Sequence, residues 1–487
     1  MAVNRVQQSL FRQLAAPGLI VGLMLAGASA ALDAQAPNPS SATNPFFGSV
    51  TARAAAGTTL NLSLDEAIAL GLKNNLGLKE AEYGEKSLQG QKNEALQAFL
   101  PTITLTGDLG VHQQNLAALG FGPSTVREFS KLLKFPPGFS EITRDDLTEG
   151  QIHFKQTLFS GPVIAAFKGV GAAERAAHFA SMSARGEVVQ QVAAAYLHAI
   201  ASASEVDNAR ALEASGQVLV SQAHAAHEAG VAANLDEVRA RVELQAQRQA
   251  LLAAQNTFEK DLILLKREIG IDPGQQVALT DRAPYSELAS ETPEEVRAVA
   301  YKNRQDYQNL QNQAVAFKAV QAAYRSQRLP SLSFSSYYGV SQVGGAGAHG
   351  NFSAIGTLSF PLFREARLRG DTDAAQANLD AVNAQLNDLR TKIDQQVRSA
   401  LLDVTATARL VEVARSNVDL ATRALSDETD RVNAGVDDNL PLVTAQAALA
   451  SAQTNLVESL YQYNLSKLAL ARAAGIIESQ YRIYLGH

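Results

Sequence analysis

Two adjacent aspartates, Asp437 and Asp438, two histidines, His224 and His227, beside Glu228, and the glycine-rich run GAGAHG at 345–350 are the groups that could carry chemistry here. Paired carboxylates on a turn concentrate a negative field that favours cations. Histidines one helical turn apart could bind a metal or titrate near neutral pH, although on a solvated helix face they usually do neither. GAGAHG satisfies G-x-G-x-x-G literally, but a dinucleotide site needs a helix to open there so that its N-terminus meets the pyrophosphate. The residues that follow alternate as a strand does, so the run reads as a flexible hairpin loop. The chain has no cysteine, which excludes disulfides, thiolate metal sites and cysteine nucleophiles. With no G-x-S-x-G, P-loop or H-E-x-x-H either, neither catalysis nor a cofactor or metal is expected.

The elements around these groups are more informative. In 487 residues, charged side chains make up 18% and the net charge is −6. No basic face suggests a nucleic-acid partner. Arg5 and Arg12, the apolar run GLIVGLMLAGA and the small residues ASA at 28–30 read as a signal peptide over 1–30. The alternative, an uncleaved anchor, would need about 20 uninterrupted apolar residues, and Pro17 and Gly18 cut the run short. Residues 31–60, rich in Ala, Pro, Asn, Ser and Thr, are expected to be disordered.

The rest is an internal repeat. AGVAANL at 229–235 returns as AGVDDNL at 434–440, so that Gly435 lies 205 residues beyond Gly230. Gly270 and Gly475 keep that offset, as do the seven-spaced Leu244, Leu251, Phe258, Leu265 and Leu449, Leu456, Tyr463, Leu470. Upstream, Pro101 matches Pro330 and Lys73-Asn74 matches Lys302-Asn303 at an offset of 229. The first copy therefore holds 24 extra residues (229 less 205), and FGPSTVREFSKLLKFPPGF reads as that long loop. The expected organisation is a first repeat over 61–282 with a β-hairpin at 101–159, a second over 283–477 with a β-hairpin at 330–361, and a tail at 478–487.

In TITLTGDLGV, Ile103, Leu105, Leu109 and Val111 alternate with polar or small residues, and QIHFKQTLF sets Ile152, Phe154 and Leu158 against His153, Lys155 and Thr157. LSFSSYYGV and FSAIGTLSF follow less strictly, Ile355 breaking the pattern. Alternation over about 9–11 residues suits a transmembrane barrel strand, and any one segment would equally suit a soluble sheet. Four strands cannot close in lipid without leaving backbone groups unpaired. Three chains would supply twelve strands, an even number wide enough for a lumen.

The helices are long: 168–229 would span about 93 Å and 234–269 about 54 Å. Leu379, Val382, Leu386, Leu389, Ile393, Val397 and Leu401 step by three and four in a mixture of heptad and hendecad spacing, which keeps helices nearly straight.

On LSLDEAIALGLKNN, LPTITL, TLFSGP and the duplicated AGV turns, over about 60–477, the chain resembles the TolC-type outer-membrane efflux protein family. The resemblance implies a fold that is mainly α with a membrane β part: duplicated helical-hairpin and β-hairpin units forming a trimeric α-helical tunnel topped by a shared twelve-stranded barrel. It implies an exit duct, passive and not enzymatic, in the outer membrane and extending into the periplasm. The partners implied are two further copies, outer-membrane lipid, a periplasmic adaptor and an inner-membrane pump of RND or ABC type. A coiled-coil adaptor or a structural rod is the alternative, although neither needs two tips and four membrane-type strands.

By the same resemblance the tips, Gly230, Val231, Asn234, Gly435, Val436 and Asn439, would dock the adaptor and constrict the tunnel. Gly230 and Gly435 suit a left-handed residue ending a helix, and Asn234 with Glu237 would form a capping box. An αα-hairpin needs no more than that, but capping leaves Val231 and Val436 unexplained. Asp437 and Asp438 would collect six carboxylates at a threefold mouth as a periplasmic gate, or are simply solvated turn residues. The family's acids sit further into the following helix, where this chain has Pro441 and Thr444.

Overall fold

The computed structural model describes residues 41–486 except 42, 52–53, 56, 121, 134–141, 231–232, 282–284, 290, 344–346 and 435–438. The segment read as a signal peptide lies outside the described residues. Described residues fall into two compact units. One comprises the chain up to Tyr83, Phe179–Tyr307 and Leu389 onward; the other comprises Gly84–His178 and Gln308–Asp388.

One element order runs through the chain twice. Helices α1 (Leu64–Asn74) and α2 (Leu76–Gln97) lead to strands β2 (Thr102–Asn115) and β3 (Ile142–Phe159), then to α4 (Gly161–Glu228) and α5 (Asn234–Ile269). Helices α6 (Pro293–Asn303) and α7 (Gln305–Ser326) lead in turn to β5 (Ser331–Val343) and β6 (His349–Ser359), then to α8 (Glu365–Asn433) and α9 (Asn439–Ala473). Both copies open with a capping box, Ser63 with Glu66 and Thr292 with Glu295, and each serine or threonine hydroxyl accepts from the glutamate backbone N–H at 3.3 Å. Two of the first-turn donors that a helix leaves unpaired are satisfied reciprocally in this way.

In the first unit a short parallel pair, β1 (Leu60–Leu62) and β4 (Val277–Leu279), lies across the middle of α4. Tyr196 Oη donates to Leu62 O at 2.8 Å and to Asp281 Oδ2 at 2.9 Å, and Asp281 Oδ2 also accepts from Leu64 N at 2.7 Å. Around it Val188, Val189, Val192 and Ala193 are fully buried. In this unit helix α8 buries one stripe, on which Ile393, Val397 and Val411 are fully buried.

The second unit carries a four-stranded antiparallel sheet in the order β2-β3-β5-β6. The central pairing, β3 with β5, joins the two repeats, with Ile152 opposite Tyr338 and Phe154 opposite Ser336.

Three expectations need correction. The insertion between β2 and β3, read as a loop, contains helix α3 (Pro123–Leu133). Pro123 suits the first position of a helix, and Val126 is buried while Arg127 and Lys131 are exposed. The stretch 31–60, expected to be disordered, is held at its described end by backbone bonds: Val50 N donates to Asn74 O at 2.8 Å and Leu76 N to Gly48 O at 2.9 Å. Composition argued against a core of its own; the segment instead borrows partners from α1 and α2. The tail contains α10 (Ile477–Leu485), with Ile477, Tyr481, Tyr484 and Leu485 buried.

Candidate functional site

Two regions carry the groups with functional potential: the faces of the sheet and the ends of the long helices.

Because paired residues share a face, the register sorts the sheet into rows. One face presents Leu105, Ile152, Tyr338 and Phe352 in a single row, and all four are exposed in the single chain. The other face presents Thr104, His153, Tyr337 and Ser353, then Asp108, Glu149, Ser341 and His349. Its side chains bond to one another: His153 Nε2 lies 3.2 Å from Thr106 Oγ1, and Asn351 Nδ2 donates to Ser341 Oγ at 3.1 Å. Ile355, the break in the alternation, sits on this polar face opposite Ser335. One surface suits hydrocarbon and the other water. Strands β2 and β6 are the two edges of the sheet within the chain.

At the helix ends, Leu219 and Ala223 of α4, Ala240 of α5 and Leu442 of α9 form a buried cluster, with Leu425 and Val432 of α8 packed against it. Both hairpins therefore end on one apolar seam. Gln446 Nε2, donating to Ser215 Oγ at 2.9 Å, ties α9 to α4 as well. Gly230 takes φ +77° with nothing within 4 Å of where a Cβ would stand, and its N–H donates to His227 O at 2.9 Å. Val231, Gly435, Val436, Asp437 and Asp438 lie outside the described residues. Asn439 is the first residue of α9.

The capping box expected at Asn234 is absent. Helix α5 starts one residue sooner, with Ala233 as an extended N-cap that makes no side-chain bond. Glu237 is drawn away from the cap: its Oε1 lies 2.5 Å from Arg241 Nη2 and 3.2 Å from His224 Nδ1. His224 thereby hydrogen-bonds between α4 and α5, with Glu228 3.5 Å from its Nε2. Beside it runs a groove of about 290 Å³ lined by Val238, Val242, Asp236, Arg239 and Glu243 of α5 and by Val443 of α9. Sequence reasoning missed this groove, although Leu235, Val238 and Val242, an i, i+3, i+7 stripe left exposed, was legible in it.

A Ser-His-Asp grouping also went unnoticed. His198 Nδ1 lies 3.0 Å from Asp261 Oδ2, and Ser202 Oγ donates to that same oxygen. A nucleophilic triad needs the serine on the far ring nitrogen of the histidine; here both groups converge on the aspartate, so the hydroxyl is not activated. The bond to Asp261 pulls the His198 pKa up, against the opposing effect of burial, and the Asp261 and Glu458 charges add to the rise. Among the described residues no three His, Asp or Glu side chains converge as metal ligands, and no helix is long and apolar enough to cross a membrane.

No curated protein sequence matches the chain. Solved structures do. A membrane protein from Pseudomonas aeruginosa is 19% identical, with 85% of this chain and 93% of that one covered and a TM-score of 0.71. The Campylobacter jejuni CmeC outer membrane channel is 14% identical, with 92% and 94% covered and a TM-score of 0.70. The Vibrio cholerae outer membrane protein VceC is 19% identical, with 85% and 96% covered and a TM-score of 0.68. The fold described above, mainly helical with a β part, is the one these solved structures share. The family model described as outer membrane efflux protein matches residues 67–270 and 298–476, most of the chain and both copies of the repeat. With its duplicated hairpins, two-faced sheet and paired tips, the chain belongs to the outer membrane efflux protein family.

Proposed function

We propose that this outer-membrane efflux channel works as a homotrimer and serves as the exit duct for a periplasmic adaptor and an inner-membrane pump of RND or ABC type. The observation that carries the trimer is the sheet: one apolar face, one polar face and two edge strands, β2 and β6. In hydrocarbon an open edge strands its backbone donors and acceptors. Joining β6 of one copy to β2 of the next removes both edges, and three copies make twelve strands around a polar lumen.

We assign adaptor docking to the tips Gly230, Val231, Asn234, Gly435, Val436 and Asn439, extended by the groove at Val238, Val242 and Val443. The apolar lining and charged rim of that groove suit a partner helix. Asp437 and Asp438 are the acids we assign to the mouth, on sequence grounds, as six carboxylates about the threefold axis. We also assign the two-repeat organisation, 61–282 and 283–477, and a signal peptide over 1–30.

The test is the mass of the processed protein extracted from outer membranes in detergent, followed by site-specific crosslinking from Val242. A trimer that crosslinks to a periplasmic adaptor is expected. A monomer would overturn the shared barrel, and a trimer whose only crosslinks are within itself would overturn docking at the groove.

A further inference from the structure

The most exposed large apolar side chains among the described residues stand side by side where β6 gives way to α8: Leu362 at 89% and Phe363 at 90%. They follow Phe352 and Leu358 on the apolar face of β6 and Phe360 just beyond its end, each of which is exposed. Arginine follows at once. Arg364 is exposed, and Arg367 and Arg369 lie on the first two turns of α8. Arg328 joins them from the chain entering β5, its Nη2 2.9 Å and its Nε 3.3 Å from the two carboxylate oxygens of Glu365. Arg369 Nε lies 3.0 Å from Glu365 Oε1, and Arg367 Nε 3.7 Å from Asp371 Oδ2. Four guanidinium groups thus face two carboxylates, and the patch keeps positive charge.

Apolar side chains followed within one residue by guanidinium groups reproduce the order of a lipid leaflet, hydrocarbon and then phosphate. Aromatic and arginine side chains gather at that boundary because each satisfies one side of it. A contiguous exposed apolar patch rimmed by charged residues marks a surface that meets protein or membrane. The continuity with the apolar sheet face indicates which partner it is.

We propose that Phe360–Arg364, with Arg328, Arg367 and Arg369, forms a binding site for an anionic phospholipid of the periplasmic leaflet. The acyl chains lie against Leu362 and Phe363, and the phosphodiester is held by guanidinium groups, which match its geometry in bidentate fashion. The site rests on the outer-membrane placement of the sheet, so its test carries a control for that placement.

The chain has no tryptophan and no cysteine, so one introduced tryptophan is the sole indole reporter. Phe363→Trp, with Leu362→Trp as a second position and Leu105→Trp as the control on the sheet face, is reconstituted as the full assembly in phosphatidylcholine vesicles with or without phosphatidylglycerol. Lipids brominated along the acyl chain serve as quenchers. Blue-shifted, quenched emission is expected at all three positions. Native mass spectrometry from detergent should find bound phosphatidylglycerol, with occupancy falling about tenfold in the double variant Arg364→Gln/Arg367→Gln. Quenching at 105 without quenching at 363 and 362 would show the segment covered by protein, a second copy included, and would overturn the site while leaving the barrel intact. Absence of quenching at 105 would overturn the membrane placement itself. Unchanged phosphatidylglycerol occupancy in the arginine variant would reduce the site to ordinary tail packing and overturn headgroup recognition.

Discussion

The side-chain amide of Asn74, at the end of α1, donates to the carbonyl oxygen of Ile269, at the end of α5, at 2.8 Å. The second repeat builds the same joint with different chemistry: Arg304 Nη1 donates to Ala473 O at 3.4 Å, while its Nη2 lies 2.6 Å from Asp306 Oδ2. Burial works to raise the Asp306 pKa, but the Arg304 bond and charge outweigh it and hold the carboxyl below its usual range. In both joints a left-handed glycine, Gly270 or Gly475, lets the helix end lie against the other chain segment.

Those glycines are expected to tolerate alanine poorly. A Cβ on Gly475 would stand 2.7 Å from Arg304 N, and one on Gly270 would stand 2.5 Å from Thr51 O, both backbone atoms that cannot rotate away. Gly230 has the same positive φ with open space around it. Gly230→Ala should cost roughly 1 kcal/mol for the left-handed backbone alone, and Gly475→Ala about 3 kcal/mol once overpacking is added. Thermal midpoints followed by far-ultraviolet circular dichroism in detergent decide it; equal shifts for the two variants would refute the joint.

Glu268 predicts a stability gain on neutralisation. The residue is 4% exposed, its Oε2 has no hydrogen-bond partner in the structure, and burial pushes its pKa up to about 7, partly offset by the bond from Gln191. The folded chain keeps this proton up to about pH 7, while the unfolded chain releases it near 4.5. Folding therefore binds the extra proton between those values, and stability falls as pH rises through them. Glu268→Gln should be about 3 kcal/mol more stable than the parent at pH 8 and indistinguishable from it at pH 4. A gain of equal size at both pH values would point to packing rather than to charge.

His198 gives the opposite kind of group, a cation favoured by folding, with a slope of the same sign. Its raised pKa means that its contribution is complete below the unfolded value and is lost as pH rises through the folded one. The ring also packs edge-on to Tyr461 at 5.3 Å. In Asp261→Asn the titration of His198, read from its ring protons by NMR, should move towards about 6.5, and the pH dependence of stability above that point should flatten. An unmoved titration would show that Asp261 is not the cause.

The two faces of the sheet predict unequal tolerance of one charge. Leu105→Lys places an ammonium on the apolar face at a cost of about 2–4 kcal/mol at mid-bilayer, whereas Thr104→Lys, one residue away, points to the polar face. Outer-membrane yield of the folded protein should fall sharply for the first and little for the second. Similar yields would mean that neither face meets lipid.

Periodicity explains which features were legible without coordinates. The alternation at Ile103–Val111, the seven-residue seam from Leu244 to Leu265 and the repeated turns record local rules of helix and strand, and those rules hold wherever the segment sits. Helix α3 escaped because its insertion is punctuated by proline and glycine, which conceal an 11-residue amphipathic stretch. The displaced cap at Ala233 escaped because Glu237 found His224 and Arg241, and competition between partners across two helices cannot be read along one.

The sequence by itself determined the duplication, the long helices, the four strands with their two faces, and the family, since each depends on spacing within a segment or on likeness along it. Only the tertiary structure decided that β3 meets β5, that Asn74 meets Ile269, and that both tips end on one apolar seam with a groove beside it. It alone decided that Glu268 is buried, and with it that the carboxyl keeps its proton to about pH 7. These are contacts between residues far apart in the chain, and their energies come from burial and partner choice, which exist only once the segments have packed.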